Sequence, residues 1–242
     1  MSGILVLTKR ELKSYFASPI AYIVAFIFLF LTGNMFYAFL DGPRQAQAQV
    51  GPLLGNFLLF IIFLCPVLTI KSFSEEKRSG TLELLLTSPI SALELVLAKF
   101  FAAFALYASI LMLTLVYVFF MDLYSAVGPD YGVVFTAYLG LLLLGGSMIA
   151  IGVFTSSLTQ SQVIAAISGF GISLFFLLIQ YFTSSVDSGF IKKVLKELSL
   201  LSHYYTDFDR GVLSTEHIIY YLVWIVFSLL LASNTVESHK WK

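Results

Sequence analysis

The sequence predicts an all-α integral membrane protein with six transmembrane helices, and three observations carry that expectation. First, 59% of its 242 residues are hydrophobic, only 12% are charged, and the mean hydropathy is +0.91. Soluble domains carry about 25% charged residues, so too few polar side chains exist to cover a soluble surface. Second, no Asp, Glu, Lys or Arg occurs in residues 14–40, 45–70, 100–121, 131–186 or 217–236. Third, the apolar segments are long and unbroken, whereas a barrel shows alternating segments of about ten residues. Fourteen Lys/Arg against fourteen Asp/Glu leave no basic field for nucleic acid. The lone Cys65 cannot form an intrachain disulfide, and the pattern offers no Cys/His cluster for a metal.

The elements follow in order. Residues 3–16 read as an amphipathic surface helix, with Ile4, Leu5, Leu12, Tyr15 and Phe16 on one side and Lys9, Arg10 and Lys13 opposite; Leu7 and Glu11 fit that wheel poorly. A plain basic flank that sets topology is the other reading. The apolar run that follows is too long for a signal peptide. A bilayer core of about 30 Å takes roughly 20 residues as helix. Spans are therefore expected near 19–40, 52–71, 97–121, 132–155, 163–183 and 218–235. The longest charge-free run holds two of them, divided by a turn in the polar stretch Thr155 to Gln162. Residues 191–201 form a further amphipathic helix within the segment 184–217, with Ile191, Val194, Leu195, Leu198 and Leu201 opposed to its lysines. Aromatics near span ends, among them Tyr15, Phe119, Tyr124, Tyr181, Tyr220, Tyr221 and Trp241, read as interfacial anchors.

With six spans both termini share a side. That side holds nine Lys/Arg (Lys9, Arg10, Lys13, Lys71, Lys77, Arg78, Lys99, Lys240, Lys242) against five on the other. The positive-inside rule then places the termini and the loop 72–96 inside, and 184–217 outside. No charge lies deep in a span, which disfavours proton-coupled transport. Asn34, Asn56, Thr69, Ser109, Thr114, Ser147, Ser168, Ser173 and Gln180 are expected mostly to hydrogen-bond between helices. Gly140, Gly145, Gly146, Ser147 and Gly152 make the fourth span small-sided. Ala165, Gly169 and Ser173 form a small-xxx-small ladder that permits close helix packing, within the chain or across a dimer. Catalytic motifs and a P-loop are absent, and His203, His217 and His239 lie far apart in sequence.

The strongest local signal is the inner loop, where eight of the 28 charges fall between residues 71 and 99. It reads as a hydrophilic turn, then Gly80 as a pivot. Thr81 caps a short helix from Leu82, Glu83 sits near its positive end, and Pro89 stops it. Leu82, Leu85 and Leu86 supply one apolar face. Either that face docks onto a partner, or it rests on this chain's own bundle.

The segment Glu76 to Pro89 resembles the cytoplasmic loop of ABC-2 type permeases, most closely the gliding-motility and copper-processing groups. The segments Thr8–Pro19, Asp209–Leu213 and Val236–Trp241 extend the resemblance along the chain. It implies one permease domain over 1–242, with an elbow helix at 1–18, a coupling loop at 72–96 and outer re-entrant helices at 184–217. The residues meeting the ATPase would be Glu76, Lys77, Arg78, Gly80, Thr81, Leu82, Glu83, Leu85, Leu86 and Pro89. It also implies a second permease chain (a homodimer or a close homologue) and separate ABC ATPase subunits that hold the ATP and Mg. This chain itself would then be no enzyme and carry no cofactor. A membrane-anchored subunit with a large outer domain accompanies the gliding-motility group, and the location implied is the bacterial cytoplasmic membrane. A secondary transporter or channel, and a non-transporting anchor, are the alternative function classes.

The topology has a direct test. In a Cys65→Ser background, Gln45→Cys and Ser188→Cys should react with an impermeant thiol reagent applied from outside. Labelling of Arg78→Cys from outside would overturn the arrangement.

Overall fold

The computed structural model describes residues 3–40, 50–86, 90–124, 128–185 and 189–239, without the side chains of Leu84, Leu86 and Ser184. These residues form α1 (Gly3–Ala17), α2 (Pro19–Leu40), α3 (Val50–Thr69), α4 (Lys71–Ser79), α5 (Thr81–Leu86), α6 (Ala92–Leu113), α7 (Leu115–Tyr124), α8 (Tyr131–Leu158), α9 (Gln162–Ser185), α10 (Phe190–Leu198), α11 (Leu200–Thr206), a 3-10 turn (Phe208–Arg210) and α12 (Thr215–Ser238). No strand occurs among the described residues. Six helical units are long and apolar enough to cross a membrane: α2, α3 with α4, α6 with α7, α8, α9 and α12. Every predicted span falls on one of them. The third starts five residues earlier than predicted because Ser91 and Glu94 form a capping box. Ser91 Oγ accepts from the Glu94 N–H at 3.2 Å, and Glu94 Oε2 from the Ser91 N–H at 3.0 Å.

Helix α8 is apolar on all sides and is accordingly enclosed on most of them, by α3, α6, α9 and α12. Its small residues let neighbours approach. A Cβ on Gly145 would overlap the Tyr107 ring, whose hydroxyl donates to the Leu141 carbonyl at 2.7 Å. A Cβ on Gly152 would overlap Thr69, and one on Gly140 would come within 2.7 Å of Phe208. The α9 ladder is also used inside the chain. Ala165 and Ser173 are buried, and a Cβ on Gly169 would sit 3.3 Å from Pro66 of α3. These contacts are those of the intrachain reading of that ladder.

The predicted polar stretch at 155–162 is only partly a turn. Thr155, Ser156 and Ser157 stay helical and buried, and the chain reverses at 159–161. Interhelical hydrogen bonds are fewer than expected. Thr114 pairs with Tyr138 at 2.8 Å, Ser147 reaches the Tyr221 carbonyl at 3.3 Å, and Gln180 accepts from Ser199 and Ser202. Asn34, Thr69, Ser109 and Ser168 instead bond carbonyls three or four residues back on their own helices. A short polar side chain on a helix finds that carbonyl before it finds a neighbour.

The two flanking segments also differ from the simplest amphipathic reading. Helix α1 lies against α6 and buries Leu7, the residue that fitted the wheel poorly, while Leu5 and Phe16 are exposed. Between α9 and α12, α10 buries none of its residues, but α11 turns into the bundle and buries Leu200, Leu201, Ser202, His203 and Tyr204. The re-entry is fastened by Tyr205 donating to the Gly55 carbonyl at 3.0 Å and Thr136 to the Phe208 carbonyl at 3.0 Å. Tyr221 is not an interfacial anchor: it is fully buried and donates to the Leu200 carbonyl at 2.6 Å. Tyr15 likewise bonds inward, to the Leu68 carbonyl at 2.9 Å. Phe119, Tyr124 and Tyr181 are exposed, as anchors should be, and Trp241 lies outside the described residues.

Packing of α8 and α9 yields a paired expectation. Gly145→Ala should destabilise the protein by about 1–3 kcal/mol through overpacking against Tyr107. Gly171→Ala, where nothing lies within 4 Å, should be neutral or stabilise by up to about 1 kcal/mol. Thermal unfolding in detergent distinguishes them; equal shifts would contradict this packing.

Candidate functional site

At one end of the bundle the second span continues past Thr69 into α4. Ile70, between the two, keeps αR backbone, and its N–H still bonds the Pro66 carbonyl at 3.0 Å. The hydroxyl of Ser156, from α8, inserts there. It accepts from the N–H groups of Phe73 at 3.1 Å and Ser74 at 3.2 Å, and donates to the Ile70 carbonyl at 2.9 Å. The predicted hydrophilic turn at 71–79 is therefore helix α4, running on from α3. Gly80 then adopts φ +70°, the left-handed conformation that ends helices, and α5 begins.

Two buried ammonium groups fasten this elbow. Lys99 of α6 is only 3% exposed and lies between two carboxylates, Glu76 of α4 at 2.7 Å and Glu11 of α1 at 3.3 Å. Its ammonium also stands 5.2 Å from the centre of the Phe73 ring. Lys77 of α4 reaches across to donate to the Ser157 carbonyl and to His239 Nε2. The Ser157 carbonyl belongs to the last turn of α8, where the helix dipole favours a cation. Lysine has only donors, so His239 accepts through Nε2. Helix α1, the elbow and the end of α12 thus meet at one end of the bundle.

The residues singled out in the sequence divide into two sets. Glu76, Lys77 and Leu82 face inward; Leu82 is 4% exposed and belongs to this chain's own core, and Leu85 packs half-buried beside it. Arg78, Gly80, Thr81 and Glu83 are exposed. The Thr81 hydroxyl pairs with Ser79 at 2.8 Å and donates to the Glu76 carbonyl at 3.4 Å, closing the end of α4. Pro89 and the side chain of Leu86 lie outside the described residues. Sequence reasoning missed Glu11, Ser156 and Ser157. A signal existed for Lys99, a cation at the start of an otherwise apolar run, but nothing in the sequence named its partners.

A second polar cluster lies at the opposite end. His203 stacks on Tyr220 with ring centres 3.9 Å apart and meets His217 edge-on at 4.7 Å. His217 Nδ1 stands 2.9 Å from an Asp207 oxygen. His203 Nδ1 is 2.8 Å from the Ser199 carbonyl, and burial lowers its pKa. These histidines, far apart in sequence, are neighbours in the fold. No group of three or more His, Cys, Asp or Glu side chains suited to a metal occurs among the described residues.

Residues 6–233 match the family model described as ABC-2 family transporter protein. No curated protein matches the chain.

The Lys99 bridge makes a measurable claim. Lys99→Met should leave two largely buried carboxylates uncompensated and cost roughly 3 kcal/mol. Glu76→Gln in the same chain should recover part of that loss, with a coupling of about 1–3 kcal/mol in a double-mutant cycle. Additive effects on thermal unfolding would show that the two side chains do not act as a pair.

Proposed function

The chain belongs to the ABC-2 transporter family, and from that premise we propose that it is the membrane subunit that converts ATPase motion into a change of helix packing, through the α4–α5 elbow. The permease subunit of this family is not itself catalytic, and the ATPase is a separate subunit, which would hold the ATP and Mg. One observation carries the proposal: the elbow is tied inward to four helices while its outer side remains open. Lys99 and Lys77 join it to α6, α1, α8 and the end of α12. Arg78 and Glu83 stay exposed at its tip. A force applied there would pass into the bundle rather than be lost in a floppy loop.

The mechanism needs two packings of the bundle and a partner that prefers one of them. Moving such an equilibrium from 1:99 to 99:1 takes about 5.5 kcal/mol of differential binding. Two charged hydrogen bonds at the tip of each elbow, worth roughly 1.5–3 kcal/mol apiece, are of that order when two permease chains act together. Leu82 and Leu85 of the leucine face pack on this chain's own core. Leu82 anchors α5 to its own bundle, and the partner would read charge. An ion gradient is a poorer energy source for this chain. The buried charges Lys77 and Lys99 lie at the end of the bundle, not at the midplane where coupling ions bind.

The finer reading follows the sequence resemblance. The chain would pair with a second permease chain in the bacterial cytoplasmic membrane, with both termini and the elbow in the cytoplasm. A subunit with a large outer domain would meet the segment 184–217, as in the gliding-motility group.

Glu83→Ala and Arg78→Ala together should leave membrane insertion and melting temperature unchanged, because neither side chain packs. They should weaken co-purification with the partner ATPase by about tenfold or more. Full retention of ATPase binding and of ATP-driven activity in that double variant would remove the elbow from the coupling role.

A further inference from the structure

A cavity of about 600 Å3 opens between α1, the start of α2, the α3–α4 junction and α6. Its wall has two halves. One half comes from membrane-spanning helices and is apolar, with Ile20 of α2, Val67 of α3 and Leu106 of α6. The other half is charged. Arg10 of α1 and Lys71 of α4 line it and have no ion-pair partner among the described residues. Glu75 also lines it, exposed and unpaired in the same sense. Beyond them lie the bridged groups Glu11, Lys99 and Glu76, so the lining carries three cations and three carboxylates. Glu76 uses one oxygen on Lys99; its Oε2 is buried with no hydrogen-bond partner among the described residues.

Such a wall selects its occupant. The apolar half reaches into the spans, which excludes a purely soluble ion as the best fit and favours a molecule with a tail. The charged half sums to zero yet keeps its signs apart. An anionic headgroup would satisfy Arg10 and Lys71 but would leave the carboxylates facing like charge. A zwitterion satisfies both. We propose that this cavity binds the headgroup of a phospholipid bearing a primary ammonium, with its phosphate on Arg10 and Lys71 and its ammonium on Glu75. The occupant would come from the leaflet at this end of the bundle and would bridge the α1 helix to the elbow. The inference does not depend on ATPase coupling.

The test uses the full chain, purified in detergent and stripped of lipid, with retained lipid counted by native mass spectrometry. Phosphatidylethanolamine should be retained about tenfold better than phosphatidylcholine, whose methylated ammonium has no N–H to donate, and about tenfold better than phosphatidylglycerol, which has no ammonium. Arg10→Gln with Lys71→Gln should lower that retention about tenfold. Lys9→Gln, exposed and outside the lining, should not. Glu75→Gln should narrow the preference over phosphatidylglycerol. Equal retention of the three lipids would overturn the proposal. So would saturation by soluble phosphoethanolamine at the same concentration, since the apolar half would then contribute nothing.

Discussion

A single buried ammonium organises one end of this protein. Lys99 sits almost free of solvent inside an apolar bundle, and such a charge is tolerated only when paired and hydrogen-bonded. Its two carboxylates come from different helices, so α1, α4 and α6 cannot drift apart without exposing or orphaning a charge. The net stability from such a bridge is small, because desolvation offsets most of the attraction. What it supplies is placement. The elbow is fixed against the bundle, and helix α1 is held beside it.

The second fixed point is α8. At one end of it Ser156 holds the α3–α4 junction and the Ser157 carbonyl holds Lys77. Toward its outer end Thr136 holds the Phe208 carbonyl, and Gly140 admits Phe208 and Tyr204 of the re-entrant segment. One rigid helix therefore touches both the elbow and the outer closure. That continuity is a physical route for coupling between the two ends, provided that the bundle has two packings for it to choose between. The small residues along α8 bear on this as well. Where ring meets glycine without a gap, movement of Tyr107 or Tyr204 must be shared by the helix it presses on.

Some of this was legible in the residues alone. Absent charge over long runs dictated six helical spans, because lipid offers no partner to an unsatisfied backbone and no helix of that composition survives in water. Gly80 as a pivot was legible too, since few residues other than glycine accept a left-handed turn at the end of a helix. The capping box at Ser91 and Glu94 was equally readable, and the start of α6 was placed late for want of it.

Which face of each helix turned inward was not legible. Periodicity separates polar from apolar sides, but in a chain this apolar most sides qualify, and lipid rewards an exposed leucine as well as a core does. Thus Leu7 is buried where Leu5 was expected, and Leu82 serves its own bundle rather than a partner. Pairings of distant residues were hidden for a different reason. Lys99 with Glu11 and Glu76, Ser156 with the Ile70 carbonyl, and His203 with His217 depend on how helices cross, and crossing is set by the summed fit of many small contacts. The sequence by itself determined that this chain is a six-span helical membrane protein with a charged elbow at one end. Only the tertiary structure decided which of those charges are buried fasteners and which are left exposed, because burial of a charge is a property of the helices around it and not of the residue that carries it.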